Sequence, residues 1–227
     1  MEPKTVTRDQ KGFIDWNEEM VRRYDIDRYY ERSHPLVRWI ERRRLGAVTE
    51  FAAARPESRV LEVGCGAGHV LQRFAGVKRI GLDLSTTMLQ RARRRLGGET
   101  ELLRGSAEEL PFESSSFDVV LCTEVLEHTQ DPERVLRELA RVGTRDARIV
   151  VSIPNEANID RVKRFIGRVP VLRTVLRSLA AEGNEWHLHQ LDLAFLRRIT
   201  QGTARIERLQ GIPNNLMPVR YVALLRA

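Results

Sequence analysis

The stretch LCTEVLEHTQDPERV, Leu121 to Val135, places Thr123, Glu124, Glu127 and His128 within six residues. An imidazole with its ordinary pKa of about 6.5 suits general-base work near neutral pH. Two carboxylates and an imidazole can also ligate a divalent ion such as magnesium or zinc. The same residues can instead decorate the approach to a helix. Asp131 fits an N-cap and Pro132 a first helical position, with Val135, Leu136 and Leu139 following on one face. Which reading holds depends on the elements that position them.

Short apolar runs alternate with helical patterns through the middle of the chain. The spacing predicts strands over Arg59–Val63, Lys78–Asp83, Glu101–Arg104, Phe117–Thr123 and Arg148–Ile153. Helices are predicted over His69–Ala75, Thr86–Leu96 and Pro132–Val142. Such alternation implies an α/β fold with a doubly wound, mainly parallel sheet and helices on both faces. Ala204–Gln210 and Val219–Leu225 read as strands whose connection is too short for a crossover helix, so they should pair antiparallel. We expect a polar, disordered 1–12 and one domain over 13–227. Within it, 13–55 forms a helical cap, 56–155 a ligand-binding core, 156–190 a helical lid insertion, and 191–227 the final helix and strand pair.

VLEVGCGAGHV sets Gly64, Gly66 and Gly68 in the turn after the first strand. Glycines there let the backbone approach a ligand and take conformations that a β-carbon forbids. His69 stands where a dinucleotide fingerprint needs a small residue, so this GxGxG turn suits a ligand without a pyrophosphate. Asp83 ends the next strand about 20 residues on, where a carboxylate can accept both hydroxyls of a ribose. Ser85 is the better helix cap there, which leaves Asp83 for the ligand. In GSAEELPFESSSFDVVL, polar Ser106 followed by small Ala107 can bracket an adenine edge. These stations fall at the carboxyl ends of neighbouring strands, where open α/β sheets bind ligands.

With these motifs in hand, the chain resembles the class I S-adenosylmethionine-dependent methyltransferases. The matching stretches are VLEVGCGAGHVL, GLDLSTTMLQRAR, GSAEELPFESSSFDVVLCTEVLEH, DPERVLRELARV and IVVSIPN, from Arg59 to Asn155. TEVLEH is similar to the ubiquinone-biosynthesis O-methyltransferases and lacks the Asn/Asp-Pro-Pro-aromatic motif of many nucleobase enzymes. The resemblance implies a Rossmann-like, seven-stranded, mostly parallel sheet with an antiparallel last strand. It puts Glu62, Gly64, Cys65, Gly66 and Gly68 at the methionine moiety, Asp83 on the ribose and Leu84 against adenine. Ser106 and Ala107 meet the adenine edge, where many relatives carry Asp instead of Ser106, and Glu108 is a candidate to compensate.

The resemblance also puts Thr123–His128 at the reaction centre. There His128 could take a proton from a substrate hydroxyl, or Glu124, Glu127 and His128 could hold Mg2+. Tyr29 and Tyr30 are candidates to touch the cofactor or roof the acceptor, and His187 or His189 a second base.

Composition bounds the partners. Lys and Arg number 38 against 31 Asp and Glu, a net charge of +7, yet no nucleic-acid module is recognisable and none is expected as ligand. From Arg161 to Ala181 there are six basic residues and no acid, beside apolar faces broken by Pro170. That segment reads as a lid over a small-molecule or lipid-like acceptor, and as a candidate for peripheral contact with anionic membrane. No apolar run approaches the ~20 residues of a span. Two cysteines without metal spacing, Cys65 and Cys122, and no apolar leader suggest the cytoplasm.

Overall fold

A computed structural model of the chain describes residues 10–24, 30, 33–167 and 186–227. Tyr29, residues 1–9 of the polar N-terminus and most of 161–181 lie outside them. Seven strands form one sheet in the order β3-β2-β1-β4-β5-β7-β6. They are β1 (Arg59–Val63), β2 (Lys78–Asp83), β3 (Glu101–Arg104), β4 (Phe117–Thr123), β5 (Gly143–Pro154), β6 (Arg205–Ile212) and β7 (Arg220–Arg226). The first five run parallel, and β7 pairs antiparallel with both β5 and β6. A parallel strand covered on both faces must be apolar throughout. In β4 only Asp118 is exposed, and its carboxylate accepts from the Arg59 amide at 2.8 Å.

Helices α1 (Gln10–Arg23), α2 (Pro35–Ala52), α3 (Thr86–Leu96), α4 (Pro132–Val142), α5 (Glu156–Gly167) and α6 (Leu193–Thr200) complete the described fold. Side-chain caps start four of them. His34 Nδ1 accepts from the Leu36 amide at the start of α2. Ser85 accepts from the Met88 amide at α3, Asp131 from Arg134 at α4 and Asp192 from Phe195 at α6. The sheet separates two apolar cores, one centred on Leu126, Leu136 and Leu139, the other on Phe51, Leu71 and Leu121.

Two expectations change. The predicted helix His69–Ala75 is only a 3-10 turn over Leu71–Phe74. Gly68 and Gly76, both at positive φ, bracket it and leave room for one tight turn. Strand β5 starts at Gly143 rather than Arg148, because α4 ends directly into it and Gly143 already pairs with Phe117.

One buried circuit ties α2, β4, β5 and β7 together. Arg44 Nε binds Glu41 Oε2 at 2.8 Å, and Arg220 Nε binds Glu41 Oε1 at 2.9 Å. Arg220 Nη1 reaches Glu124 Oε2 at 2.9 Å, and the Ser152 hydroxyl donates to Glu124 Oε1 at 2.7 Å. Arg44 Nη1 closes the ring by donating to Ser152 Oγ at 3.2 Å. Two cations and two anions cancel. Despite burial, the guanidinium of Arg44 and then that of Arg220 hold Glu41 down to about 2.

Removing one partner of a buried ion pair strands the other charge, at ~3–5 kcal/mol. Arg220→Ala should therefore lower the melting temperature by about 6–20 °C, while Glu109→Gln, at an exposed pair with Arg134, costs under ~1 kcal/mol. The Glu41 contribution is intact above the ordinary carboxylate value and is lost as pH falls through about 2. Calorimetric melts of both variants check the difference; equal melting temperatures would show the ring to be idle.

Candidate active site

Strand order reverses between β1 and β4, which opens a crevice at their carboxyl ends. The turn leaving β1 lines it. Gly64, Gly66 and Gly68 have φ of +70°, +50° and +82°, values that L side chains rarely adopt. A β-carbon on Gly64 would lie 2.3 Å from Val125, whereas one on Gly66 would meet open space. Gly64 is glycine because β4's exit crowds it, and Gly66 because the chain turns there beside a vacant groove. The Gly64 and Cys65 amides both donate to the Leu82 carbonyl, at 2.7 and 3.0 Å, which anchors the turn to β2.

Asp83 reaches back across that turn. Its Oδ2 accepts from the Gly66 amide at 2.7 Å and its Oδ1 from Ser85 at 2.8 Å. Each oxygen keeps a further lone pair for an incoming hydroxyl. Burial pushes this carboxyl up to about 6. Glu62 is buried, raised well above its ordinary value by that burial, and accepts from the Leu71 amide while its Oε2 has no partner. An unsatisfied buried carboxyl oxygen beside an open glycine groove fits a ligand that brings a donor, such as an amino group. The Cys65 thiol is buried against β2 near Gly81, and its amide donates to the Leu82 carbonyl.

Leu84, Ser106 and Ala107 are half-buried beyond β2 and β3. Glu108 does not replace the missing acid beside Ser106. Its Oε1 accepts from the Gln130 and Asp131 amides at 2.7 and 3.1 Å, bracing the start of α4. Tyr30 donates no roof of its own to the acceptor side. Its ring stacks on His69 at 4.0 Å, its hydroxyl accepts from Arg44 Nη2 at 2.6 Å, and burial raises it to about 12.

Thr123 is buried at the end of β4, and the chain then kinks through Glu124, at φ +56°. That conformation costs on the order of 1–3 kcal/mol for a residue other than glycine. The ring above supplies the compensation. Glu124 engages one carboxylate oxygen with Arg220 and the other with Ser152, which ties it to the ring.

What the kink presents is a different cluster: Glu127, His128 and His187 each offer a ligating atom within 4.8 Å of the others. His128 Nδ1 lies 3.1 Å from the Trp186 carbonyl, which can only accept, so Nδ1 carries the hydrogen and Nε2 is the free acceptor. His187 Nδ1 is held at 2.6 Å by Glu156 Oε1 at the start of α5. Burial, and then His187, keep His128 neutral down to about 3, while burial and the nearby Glu124 push the Glu127 carboxyl up to about 8. Glu127 Oε2 has no partner. His189 stands apart, its Nε2 donating to the Thr129 carbonyl at 2.9 Å. Glu156, Glu18 and Trp186 complete the site without having been assigned to it from sequence. Trp186 lies tilted against His128 at 4.6 Å and stacks on Tyr24, just past α1, at 6.0 Å, and Glu18 accepts from the Thr86 amide at 2.6 Å. Thus α1 closes over the glycine turn.

Magnesium does not fit this cluster. It prefers oxygen ligands in octahedral array, and the expected Glu124, Glu127 and His128 set loses Glu124 to Arg220.

Comparison with known proteins agrees with this geometry. Residues 61–151 match the family described as methyltransferase domain. A ubiquinone biosynthesis O-methyltransferase of Hahella chejuensis is 36% identical over 140 residues, 59% of this chain and 57% of that protein. The uncharacterized methyltransferase YcgJ of Bacillus subtilis is 32% identical over 149 residues, 63% of this chain and 58% of that one. The chain therefore spans less than two thirds of the length of these curated relatives. The solved magnesium protoporphyrin IX methyltransferase of Synechocystis PCC 6803, with bound S-adenosylhomocysteine, superposes with a TM-score of 0.68 at 18% identity. That match covers 96% of this chain and 100% of the other, and shows the shared fold.

The two glycines separate folding from binding. Gly64→Ala forces Val125 aside and should destabilise the protein by ~1–3 kcal/mol. Gly66→Ala should stay folded yet weaken S-adenosylhomocysteine binding about tenfold or more, since its methyl group occupies the open groove. Melting curves and calorimetric titration of the pair check this; undiminished binding by Gly66→Ala would place the ligand elsewhere.

Proposed function

We propose that this chain, whose residues 61–151 match a methyltransferase domain, is an S-adenosylmethionine-dependent enzyme that methylates a hydroxyl oxygen on a small or lipid-like acceptor. The observation that carries the oxygen assignment is the orientation of His128, whose Nδ1 is pinned to the Trp186 carbonyl and whose Nε2 lone pair is left for a substrate proton. The 36% identity to a protein named as an O-methyltransferase supports the same reading.

When bound, S-adenosylmethionine supplies an electrophilic methyl group on a positively charged sulfur. The chain's own residues do the rest. Asp83 and the open turn at Gly66 receive the nucleoside end, and Glu62 receives the amino group. Holding acceptor oxygen and methyl group in line can supply roughly 7–11 kcal/mol of barrier reduction. Trp186, held between Tyr24 and His128, and the packed Val21, Ala67 and Met88 keep water from that line.

An imidazole held near 3 is a weak base by itself. Glu127 answers this: once ionised, the carboxylate beside His128 stabilises the imidazolium that forms. Activity should therefore rise with pH as Glu127 ionises, near 8, with no inflection at the ordinary histidine value. His128→Ala should lower kcat by ~10²–10⁴, and Glu127→Gln should abolish the rise near 8. Steady-state rates from pH 6 to 9 with a catechol-type acceptor test both, and near-normal turnover by His128→Ala would remove the base assignment.

One observation favours a second reading. Both histidines have Nδ1 engaged, one by a backbone carbonyl and one by a carboxylate, the arrangement that orients metal-bound imidazoles. With Glu127, two imidazoles and a carboxylate suit zinc or a similar borderline ion. Elemental analysis of the purified protein decides: on this reading a stoichiometric metal is found and His187→Ala lacks it, whereas a metal-free protein that binds no added zinc refutes it.

A further inference from the structure

Among the described residues the large apolar side chains left exposed are Leu36, Trp39, Leu216 and Met217. Two lie on α2 and two on the β6–β7 loop, and a hydrogen bond from Arg43 to Pro213 joins those elements. Leu36 and Trp39 stand one turn apart on the outer face of α2. Arg43, a turn further on, lies over the Trp39 ring at 5.5 Å and donates from Nε to the Pro213 carbonyl at 3.0 Å. Pro213 opens the β6–β7 loop, whose tip is Leu216–Met217. Asn214 Oδ1 accepts the amides of both tip residues at 3.0 Å, and Asn215 Oδ1 accepts that of Gly211 at 2.6 Å. The tip is thus held outward, with Leu216 at 95% exposure.

Its charge is one-sided. Arg42 and Arg43 are exposed on the same stretch of α2 as Trp39, while the one acid among described residues 33–49 and 211–219 is Glu41, buried in the ring with Arg44 and Arg220. The face also sits on the carboxyl edge of the sheet. The loop leads into Arg220, which contacts Glu124 at the end of β4.

We propose that this face docks on an anionic lipid surface. Leu216 and Met217 enter the acyl boundary, Trp39 lies at headgroup level, and the arginines meet lipid phosphates. A protruding apolar tip on a face whose exposed charges are cationic suits an anionic headgroup layer, which deforms around it; a protein interface at this point would ask for a flatter surface or a groove. Docked this way, the protein turns the edge that carries Glu127 and His128 toward the bilayer, so a lipid-like acceptor enters without crossing water. The proposal rests on the methyltransferase reading only for that last consequence.

Co-sedimentation with phosphatidylcholine vesicles, with and without phosphatidylglycerol, tests the docking on the full chain at low salt. Wild type should bind the anionic vesicles, and its tryptophan emission should shift to the blue, a shift absent in Trp39→Phe. Leu216→Ser with Met217→Ser, and separately Arg42→Glu, should each weaken binding about tenfold or more. Both variants should titrate with S-adenosylhomocysteine like wild type, which shows them folded and separates this proposal from the cofactor reading. Wild type that ignores anionic vesicles, as it would if the face served a protein, overturns the proposal. So does undiminished binding by the Leu216→Ser, Met217→Ser variant, which would move the contact elsewhere, to 161–181 for example.

Discussion

Two arginines and two glutamates, closed into a ring through Ser152 and buried under α2, hold the end of β4 in a conformation that it would not keep alone. Every other feature of the site depends on that kink. Glu124 at φ +56° turns the chain into the stretch where Glu127 and His128 meet His187. Because Arg44 also holds the Tyr30 hydroxyl, and Tyr30 stacks on His69 just past the glycine turn, the same ring braces the cofactor side. An apolar substitute of equal volume could stabilise the interior as well or better. What charge adds here is direction: each oxygen and each guanidinium nitrogen accepts one partner geometry, so strand end, helix and terminal hairpin meet in one arrangement.

The catalytic half is assembled from distant parts in a similar way. Trp186 offers its carbonyl to His128 and its ring to Tyr24, and Glu156 orients His187. Loop, α1 and α5 therefore converge on a cluster that β4 alone does not complete. Burial raises Glu127 and lowers His128 by the same physics, a shortage of water around a charge. Two neighbouring groups are thereby both neutral near pH 7, and only ionisation of Glu127 at higher pH puts a charge beside the imidazole.

Much of the frame was legible in the residues. Strands β1 to β4 are apolar runs with sharp polar ends, and α3 and α4 announce themselves by Ser85, Asp131 and Pro132, so their limits follow from local chemistry. The turn over 71–74 was misread because an apolar stretch suggests a helix while its length is set by the two flanking glycines. At the site, Asp83 and Gly66 were readable because a strand–turn–helix places them by chain geometry. Glu124 was not. Its partners, Arg44, Ser152 and Arg220, come from three elements with no periodic signal linking them, so a carboxylate in an ion pair looks like a carboxylate free for chemistry. Glu108 and His189 likewise take backbone partners that fold-level contacts bring to them and that no local pattern announces.

The central claim is that Asp83 and the open space beside the Gly66 turn receive the nucleoside end of S-adenosylmethionine. Calorimetric titration of the intact chain with S-adenosylhomocysteine tests it most directly, with Asp83→Ala alongside. The account predicts micromolar binding with one site per chain, and a loss of at least about 100-fold when the carboxylate is removed, from two charge-assisted hydrogen bonds. A folded protein that takes up no S-adenosylhomocysteine, or an Asp83→Ala variant that binds as tightly as wild type, would contradict it.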